Sequence, residues 1–490
     1  MLETLSLALR PDYLLIIFIG VSAGIAIGIL PGLTSTMAIA LLMPLTFAMQ
    51  PQNGIMLLIG EFVGALYGSG IPAILINTPG TPASAATVMD GYPFTKRGES
   101  GRAIGIITLA SFGGGIISGI LLILIAPQLA RIAMQFNAPE TFALAFFGIS
   151  IISSIAGKSL IKGLLSGCFG LLISLVGMDN ITGFSRYSFG TTFLMGGFSF
   201  IPVMVGLFAM SQCMVLVEEI MKRTFIAQKV TSALPTRQDL KIVWKTILRG
   251  GLTGTFIGAV PGVGGDVSAF ISYDMERRFS KHPQLFGTGL PEAIAATESS
   301  NSGTTGGALI PLLTLGIPGD ANTAVMLGAF MVHNLIPGPL LFVQHAAVVN
   351  TLFIGFILAN IFMVILGFSS IRLFVKIVEV PNAIIVPIVI LLCIVGSFAI
   401  NNNYLDIVVM LVAGIVGFML IKGGFPLSPI VLALILGPMA EGNLRRSLVM
   451  SKGSLMIFVQ RPFALAFIVI AIFSLFFPII KEAIKTYRKK

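Results

Sequence analysis

The chain has 490 residues, of which 56% are hydrophobic and 10% charged, with three cysteines and a net charge of +10. A mean hydropathy of +0.98 excludes an ordinary soluble globular protein, and no polar stretch is long enough for a separate soluble domain. The basic residues are spread over short loops and the C-terminal tail, Lys481 to Lys490. That is the charge pattern of cytoplasmic loops between membrane helices, so no nucleic-acid surface is expected.

In chain order, segments near 13–30, 103–126, 191–217, 351–370, 383–400, 404–421 and 463–480 are each long enough, or nearly so, to span roughly 30 Å of hydrocarbon. With shorter and interrupted segments counted, the reading is an all-α polytopic membrane protein of about 11–14 membrane elements. The first apolar segment has no small-residue cleavage site and is expected to stay as a helix. Cys168, Cys213 and Cys393 lie in apolar segments, expected to be buried and too few for a disulfide framework or a metal site.

Two stretches share one pattern of helix breakers. The first runs Gly24, Gly28, Pro31-Gly32 and then Gly68, Pro72, Pro79-Gly80. The second runs Gly254, Gly258, Pro261-Gly262 and then Gly307, Pro311, Pro318-Gly319. Both read G-x3-G-x2-P-G followed by G-x3-P-x6-P-G. A G-x3-G pair alone is a common packing face in membrane helices. The matched Pro-Gly spacing is the stronger signal, because paired interruptions in two halves point to the binding site of a secondary transporter. Breaks are expected at Pro31, Gly32, Pro79, Pro261, Pro311 and Pro318, with re-entrant or broken helices around them.

Loop charge orients the two copies. The loop Gln50 to Asn53 after the first break has no Lys or Arg, while Lys96, Arg97 and Arg102 follow Pro79-Gly80. In the second copy Arg277, Arg278 and Lys281 follow Pro261-Gly262, and Asn334 to Pro339 carry none. Basic loops face the cytoplasm, so the expectation is two inverted-topology repeats, 1–220 and 250–490, joined by a basic cytoplasmic linker at 221–249.

Small polar residues crowd the breaks. The candidates for holding substrate are Thr34, Ser35, Asn77, Thr78, Gly80, Thr81 and Ser84, then Gly262, Gly264, Asn301, Ser302, Gly319, Asn322 and Thr323. A helix restarting after Pro-Gly presents free backbone N–H groups and partial positive charge, so converging restarts make a carboxylate site without buried Arg or Lys. Asp266, Glu298 and Asp320 are the candidates for coupling to Na+ or H+, since an acid within an apolar run is a functional candidate by default. Glu61 shares that logic. Asp320 also fits an N-cap for the next helix. His333, ahead of Pro337-Gly338-Pro339, reads as a helix-end residue, and His282 lies in a basic loop. No metal-ligand cluster and no phosphate loop occur, so no cofactor and no ATP hydrolysis are expected.

The run Asn77-Thr78-Pro79-Gly80-Thr81-Pro82-Ala83-Ser84-Ala85-Ala86-Thr87, closing in Asp90-Gly91-Tyr92-Pro93 and Lys96-Arg97-Gly98-Glu99, resembles the large membrane subunit of tripartite tricarboxylate transporters, the TctA family. The second half agrees through Gly306-Gly307-Ala308-Leu309-Ile310-Pro311, Leu315-Gly316-Ile317-Pro318-Gly319, His333 and Pro337-Gly338-Pro339. One stretch departs. Where the family usually shows Pro-Glu-Ala-Ala-Asn-Asn, this chain has Thr297-Glu298-Ser299-Ser300-Asn301-Ser302, with hydroxyls replacing the proline and the second amide. The resemblance implies a bacterial inner-membrane carrier that imports carboxylates such as citrate with sodium ions or protons. It also implies two partners, a periplasmic solute-binding protein and a small membrane subunit of about four helices. The competing readings are a passive anion channel, which should show a charged ring or a filter repeat, and a membrane-embedded enzyme, which needs a paired catalytic constellation. Neither signature is found.

Overall fold

A computed structural model describes residues 10–150, 159–179, 181–220, 235–262, 264–369 and 382–487. The chain forms two compact units, residues 1–130 with 212–402, and residues 131–211 with 403–490. Each draws on chain from both sides of the expected linker. Of that linker, residues 221–234 lie outside the described residues, and Arg237–Arg249 form the first half of a helix.

The first unit begins with α1 (Pro11–Ile29), α2 (Ser35–Thr46), α3 (Pro51–Gly68), α4 (Gly70–Leu75), α5 (Ala85–Lys96) and the long α6 (Ser100–Ala133), which runs on past Ala130. The matching series is α7 (Arg237–Gly258), α8 (Gly264–Phe279), α9 (Pro291–Leu315), α10 (Ala321–Val332) and α11 (Ala346–Ser369), followed by α12 (Asn382–Asn401). Starts and stops follow the local sequence. Pro51 and Pro291 open α3 and α9 at positions whose N–H would be unpaired anyway. Thr236 and Asp239 form a capping box on α7. Gly316, at φ +69°, ends α9 in the left-handed conformation that glycine tolerates best, and Asn77, at φ +56°, does the same after α4.

The glycines of the repeat are packing glycines. A Cβ on Gly24 or Gly28 would fall 2.2 or 2.3 Å from the carbonyl oxygens of Glu61 and Ala65, so α1 and α3 run side by side at backbone contact. The same register recurs in the second half, where Gly254 and Gly258 meet the Ser300 and Thr304 carbonyls at 2.1 and 2.8 Å. Only glycine permits that approach.

The two kinds of loop sort to opposite ends of this unit. Arg97 donates to the carbonyls of Thr288 and Gly289, in the connection that follows Arg277 and Arg278. Arg102 pairs with Asp239 at the start of α7. At the other end, His333 Nε2 lies 3.1 Å from Thr46 Oγ1, bringing Asn334 to the uncharged loop before Pro51. Thus α1 and α3 start from the uncharged end, and α7 and α9 from the basic one.

The second unit packs α13 (Ala138–Ser150) and α14 (Leu160–Ser174) against α16 (Ser428–Met450), with α15 (Tyr404–Lys422) and α17 (Pro462–Tyr487) completing it. Residues Val205–Met210 form a π-helical turn against α15, where Gly206 meets the Met410 carbonyl.

Among the described residues seven helices are long and apolar enough to cross a membrane: Pro11–Ile29, Pro51–Leu75, Ser100–Ala133, Phe200–Glu218, Ala346–Ser369, Ala383–Asn401 and Tyr404–Lys422. Six match expected segments, and the expected 463–480 falls within α17. Pro51–Leu75 was hidden by Glu61 and by the breaker signals Gly68 and Pro72. Two expectations are corrected. Pro311 is not a break: it lies inside α9, because proline costs one N–H and the helix continues to Leu315. Cys168 is exposed rather than buried, on an outward face of α14.

Candidate functional site

Four helices of the first unit restart after the Pro-Gly turns, and their N-termini converge. Thr34 caps α2, accepting from the Met37 N–H at 3.2 Å. Gly264 opens α8 at φ +62°. Before α5, Thr81 and Ser84 bond each other, the Thr81 N–H donating to Ser84 Oγ at 3.2 Å and Ser84 Oγ donating to the Thr81 carbonyl, and Thr81 Oγ1 also donates to Ser69. Asp320 caps α10 through a capping box with Thr323, and its Oδ2 accepts from Asn322.

Contacts between the halves follow the repeat. Thr36, five residues after Pro31, donates to Asn322 Oδ1 at 2.7 Å. Asp266, five residues after Pro261, faces the Ala83 backbone N–H and Asp320. Asn322 and Ala83 each stand four residues after the second Pro-Gly proline of their own half. A Cβ on Gly264 would lie 3.2 Å from Asp320 Cβ, and one on Gly265 would lie 2.8 Å from Asn301 Oδ1. The termini of α2, α8, α5 and α10 therefore share one neighbourhood with Asn301.

Close packing holds the turns in place. A Cβ on Gly80 would fall 2.5 Å from the Gly28 carbonyl oxygen, and one on Gly319 would fall 2.6 Å from that of Gly258. The Gly262 N–H donates to the Gly319 carbonyl at 2.6 Å. Gly32, at φ +90°, offers its carbonyl to Gln212 Nε2 at 2.8 Å.

Glu298 is fully buried on α9, where Oε1 accepts from Thr87 at 2.5 Å and Thr87 also meets Thr297 at 2.9 Å. Glu298 Oε2 and Asn301 Oδ1, on side chains one helical turn apart and facing each other, have no partner at full hydrogen-bond geometry among the described residues. Two buried oxygen acceptors left unsaturated side by side are suited to a proton or a small hard cation. Asp266 is exposed.

Three expected site residues stand apart from this cluster. Asn77 is exposed and serves as the left-handed helix stop. Thr78 is half-buried beside it, bonding back to Ile76 and Pro72. Ser302 is buried in the body of α9, its carbonyl taken by Thr305.

Asp90 was legible in the sequence only as part of a motif. It is fully buried and accepts four hydrogen bonds, from Tyr273 Oη, Gly287 N, Gly289 N and Leu290 N at 2.8–2.9 Å. It ties α5 to the connection entering α9, and so fixes Glu298 and Asn301 against the Pro79-Gly80 turn. An acid followed by Gly-Tyr-Pro at a helix end was the available signal.

The second unit holds a separate cavity of about 430 Å³, lined by Asp179, Arg186, Glu441, Asn443, Arg445 and Arg446 among others. Arg186 bridges Asp179 and Glu441, and Arg445 also bonds Asp179. Backbone N–H groups of Ile181 and Thr182, with the two arginines, hold the Asp179 carboxyl below the usual carboxylate range.

The fold and site thus define an all-α polytopic membrane protein with a mid-chain meeting of broken helices. Residues 14–432 match the Tripartite tricarboxylate transporter TctA family, and the chain belongs to that family. An uncharacterized 52.8 kDa protein in the TAR-I ttuC' 3'region of Agrobacterium vitis is 36% identical over 465 residues, covering 95% of this chain and 93% of that one. An uncharacterized protein in the TAR-II ttuC' 3'region of the same organism is 36% identical over 211 residues, covering 43% of this chain and 87% of that one. No solved structure matches.

Proposed function

We propose that this chain is the large membrane subunit of a secondary carrier of the bacterial inner membrane. The carrier imports carboxylates such as citrate, driven by a sodium or proton gradient. The convergence of four half-helix N-termini carries this reading. Their free N–H groups and partial positive charges suit a carboxylate, with Thr36, Asn301 and Asn322 offering further hydrogen bonds. None of these termini carries a Lys or Arg within its first two turns.

Glu298, with its free oxygen next to Asn301, is the first candidate for the coupling ion, and Asp266 the second. Asp320 acts first as a cap. The opposed directions of the two helix series and the sorting of basic and uncharged loops to opposite ends support inverted halves, with the basic end cytoplasmic. Family membership supports transport over catalysis, and it supports a periplasmic solute-binding protein and a small membrane subunit as partners.

The test is reconstitution of the chain with both partners in proteoliposomes, followed by labelled citrate uptake with and without imposed gradients. Uptake that needs both a gradient and the binding protein is expected. Flux that runs without a gradient would instead identify a channel.

A further inference from the structure

Glu61 stands in the middle of α3, fully buried, and among the described residues neither of its carboxylate oxygens has a partner at full hydrogen-bond geometry. Among the described residues the polar side chain that faces it is Ser35, the first residue of α2, whose buried hydroxyl is turned to Glu61 and has no other partner there. The internal repeat isolates what is unusual here. Glu61 lies seven residues before Gly68, and Ser300 lies seven before Gly307. The packing agrees, since Gly24 meets the Glu61 carbonyl as Gly254 meets that of Ser300. In the second half this position is satisfied, with Ser300 Oγ 2.5 Å from Ser268 Oγ. In the first half an acid replaces the hydroxyl and its donor is gone.

The elements around Glu61 offer no counter-charge. α3 packs on α1, α2, α4, α9, α10 and α11. Their titratable and charged groups are Asp12 and Tyr13 at the start of α1 with Arg10 just before it, paired to Asp12, then Glu292 and Glu298 on α9, Asp320 and His333 flanking α10, and His345 just before α11. No Lys or Arg lies on any of them. On α6, which touches α3 where Thr108 meets Tyr67, Arg102 is held by Asp239 and Glu99, and Arg131 stands at the far end. A buried carboxylate with no cation and a single hydroxyl beside it is costly when ionised. A proton needs a single acceptor, which the Ser35 oxygen can supply, whereas a sodium ion needs several oxygens together.

We propose that Glu61 is a proton-carrying group of this carrier, holding its proton against Ser35 and releasing it inward when the neighbouring turn rearranges. The link to the binding region is covalent. Ser35 lies between the cap Thr34 and Thr36, which bonds Asn322, so the state of Glu61 is felt at the converging termini. This proposal rests on the reading of the chain as an ion-coupled carrier and commits it to protons.

Two experiments test it. First, the wild-type full-length chain in lipid nanodiscs is treated with dicyclohexylcarbodiimide, which attacks protonated carboxyls in apolar surroundings, and its peptides are weighed by mass spectrometry. An adduct on Glu61 near neutral pH that falls at least tenfold in strong alkali is expected. No adduct near neutral pH, when the same peptide labels readily after denaturation in mild acid, would overturn the proposal. Second, Glu61→Gln, which mimics the protonated acid, is compared with wild type in proteoliposomes using labelled citrate. Accumulation driven by an acid exterior should fall at least tenfold, while exchange at equal pH stays within twofold. Normal accumulation, or joint loss of exchange and accumulation, would overturn it. A wild-type protein that accumulates with sodium but ignores the proton gradient would sink the Glu61 role and leave the carrier intact. One that ignores every gradient would sink the carrier reading itself.

Discussion

Gly319→Ala is the sharpest perturbation of the site that the packing offers. The added Cβ would lie 2.6 Å from Ala308 Cα and 2.6 Å from the Gly258 carbonyl oxygen, both backbone atoms that no rotamer change can move aside. Ordinary contact begins at 3.4 Å, so the turn must shift by about 0.8 Å. Overpacking of this kind costs roughly 1–3 kcal/mol. The 2.6 Å bond from the Gly262 N–H to the Gly319 carbonyl would stretch as well, at about 1 kcal/mol. Because α10 starts one residue after the Asp320 cap, the shift passes directly to the N-terminus that meets α2 and α8. A displacement near 1 Å at a positioning group costs on the order of 100-fold in rate. The initial rate of labelled citrate uptake, normalised to inserted protein, should therefore fall about 10–100-fold, and Gly80→Ala should behave alike. Gly442→Ala, where a Cβ meets nothing within 4 Å, is the control and should transport normally. Wild-type uptake by Gly319→Ala would refute the reasoning, because the Pro-Gly turn would then not position the site.

Asp90→Asn leaves one oxygen for four donors, so two charge-assisted bonds are lost and the unfolding free energy should drop by about 3–6 kcal/mol; an unchanged thermal midpoint would contradict this. Asp239→Asn probes the pair at the head of α7. Burial alone raises the Asp239 carboxyl, but Arg102 and Thr236 outweigh it and hold the group below its ordinary value. A depressed folded value contributes stability above the unfolded value of about 3.9 and loses it as pH falls further. The mutant should thus be less stable by about 1.5–3 kcal/mol at neutral pH, with the gap closing below about pH 4 in paired unfolding curves. Cysteines at Gln52 and Asn334 should be labelled by an impermeant reagent from the periplasm, and at Arg97 and Arg278 from the cytoplasm. The reverse pattern in either half would break the inverted arrangement.

Helix content and most membrane segments were legible because they depend on composition over about 20 residues, a property local sequence carries well. The Pro-Gly turns at 31–32, 79–80, 261–262 and 318–319 were legible for a similar reason, since both residue types act on their own backbone. Pro311 shows the limit: a proline marks a lost N–H, and whether the helix ends there depends on its surroundings. Asn77 shows another, because an amide suited to a ligand is equally suited to φ +56°. What no local pattern could give was the pairing of Thr36 with Asn322, or the four donors gathered on Asp90 from residues 273–290. Those arise from contacts nearly 200 residues or more apart in sequence. Glu61 and Ser300 are matched by spacing alone, but only the packing reveals that one is satisfied and the other is not.

The central claim is that a substrate carboxylate sits where the four broken helices begin. A structure of the chain in lipid nanodiscs at saturating citrate tests it directly. The account predicts carboxylate density against the backbone N–H groups at the starts of α2, α5, α8 and α10, beside Thr36, Asn301 and Asn322. Density confined to the cavity of the second unit, against Arg186, Arg445 and Arg446, would contradict it.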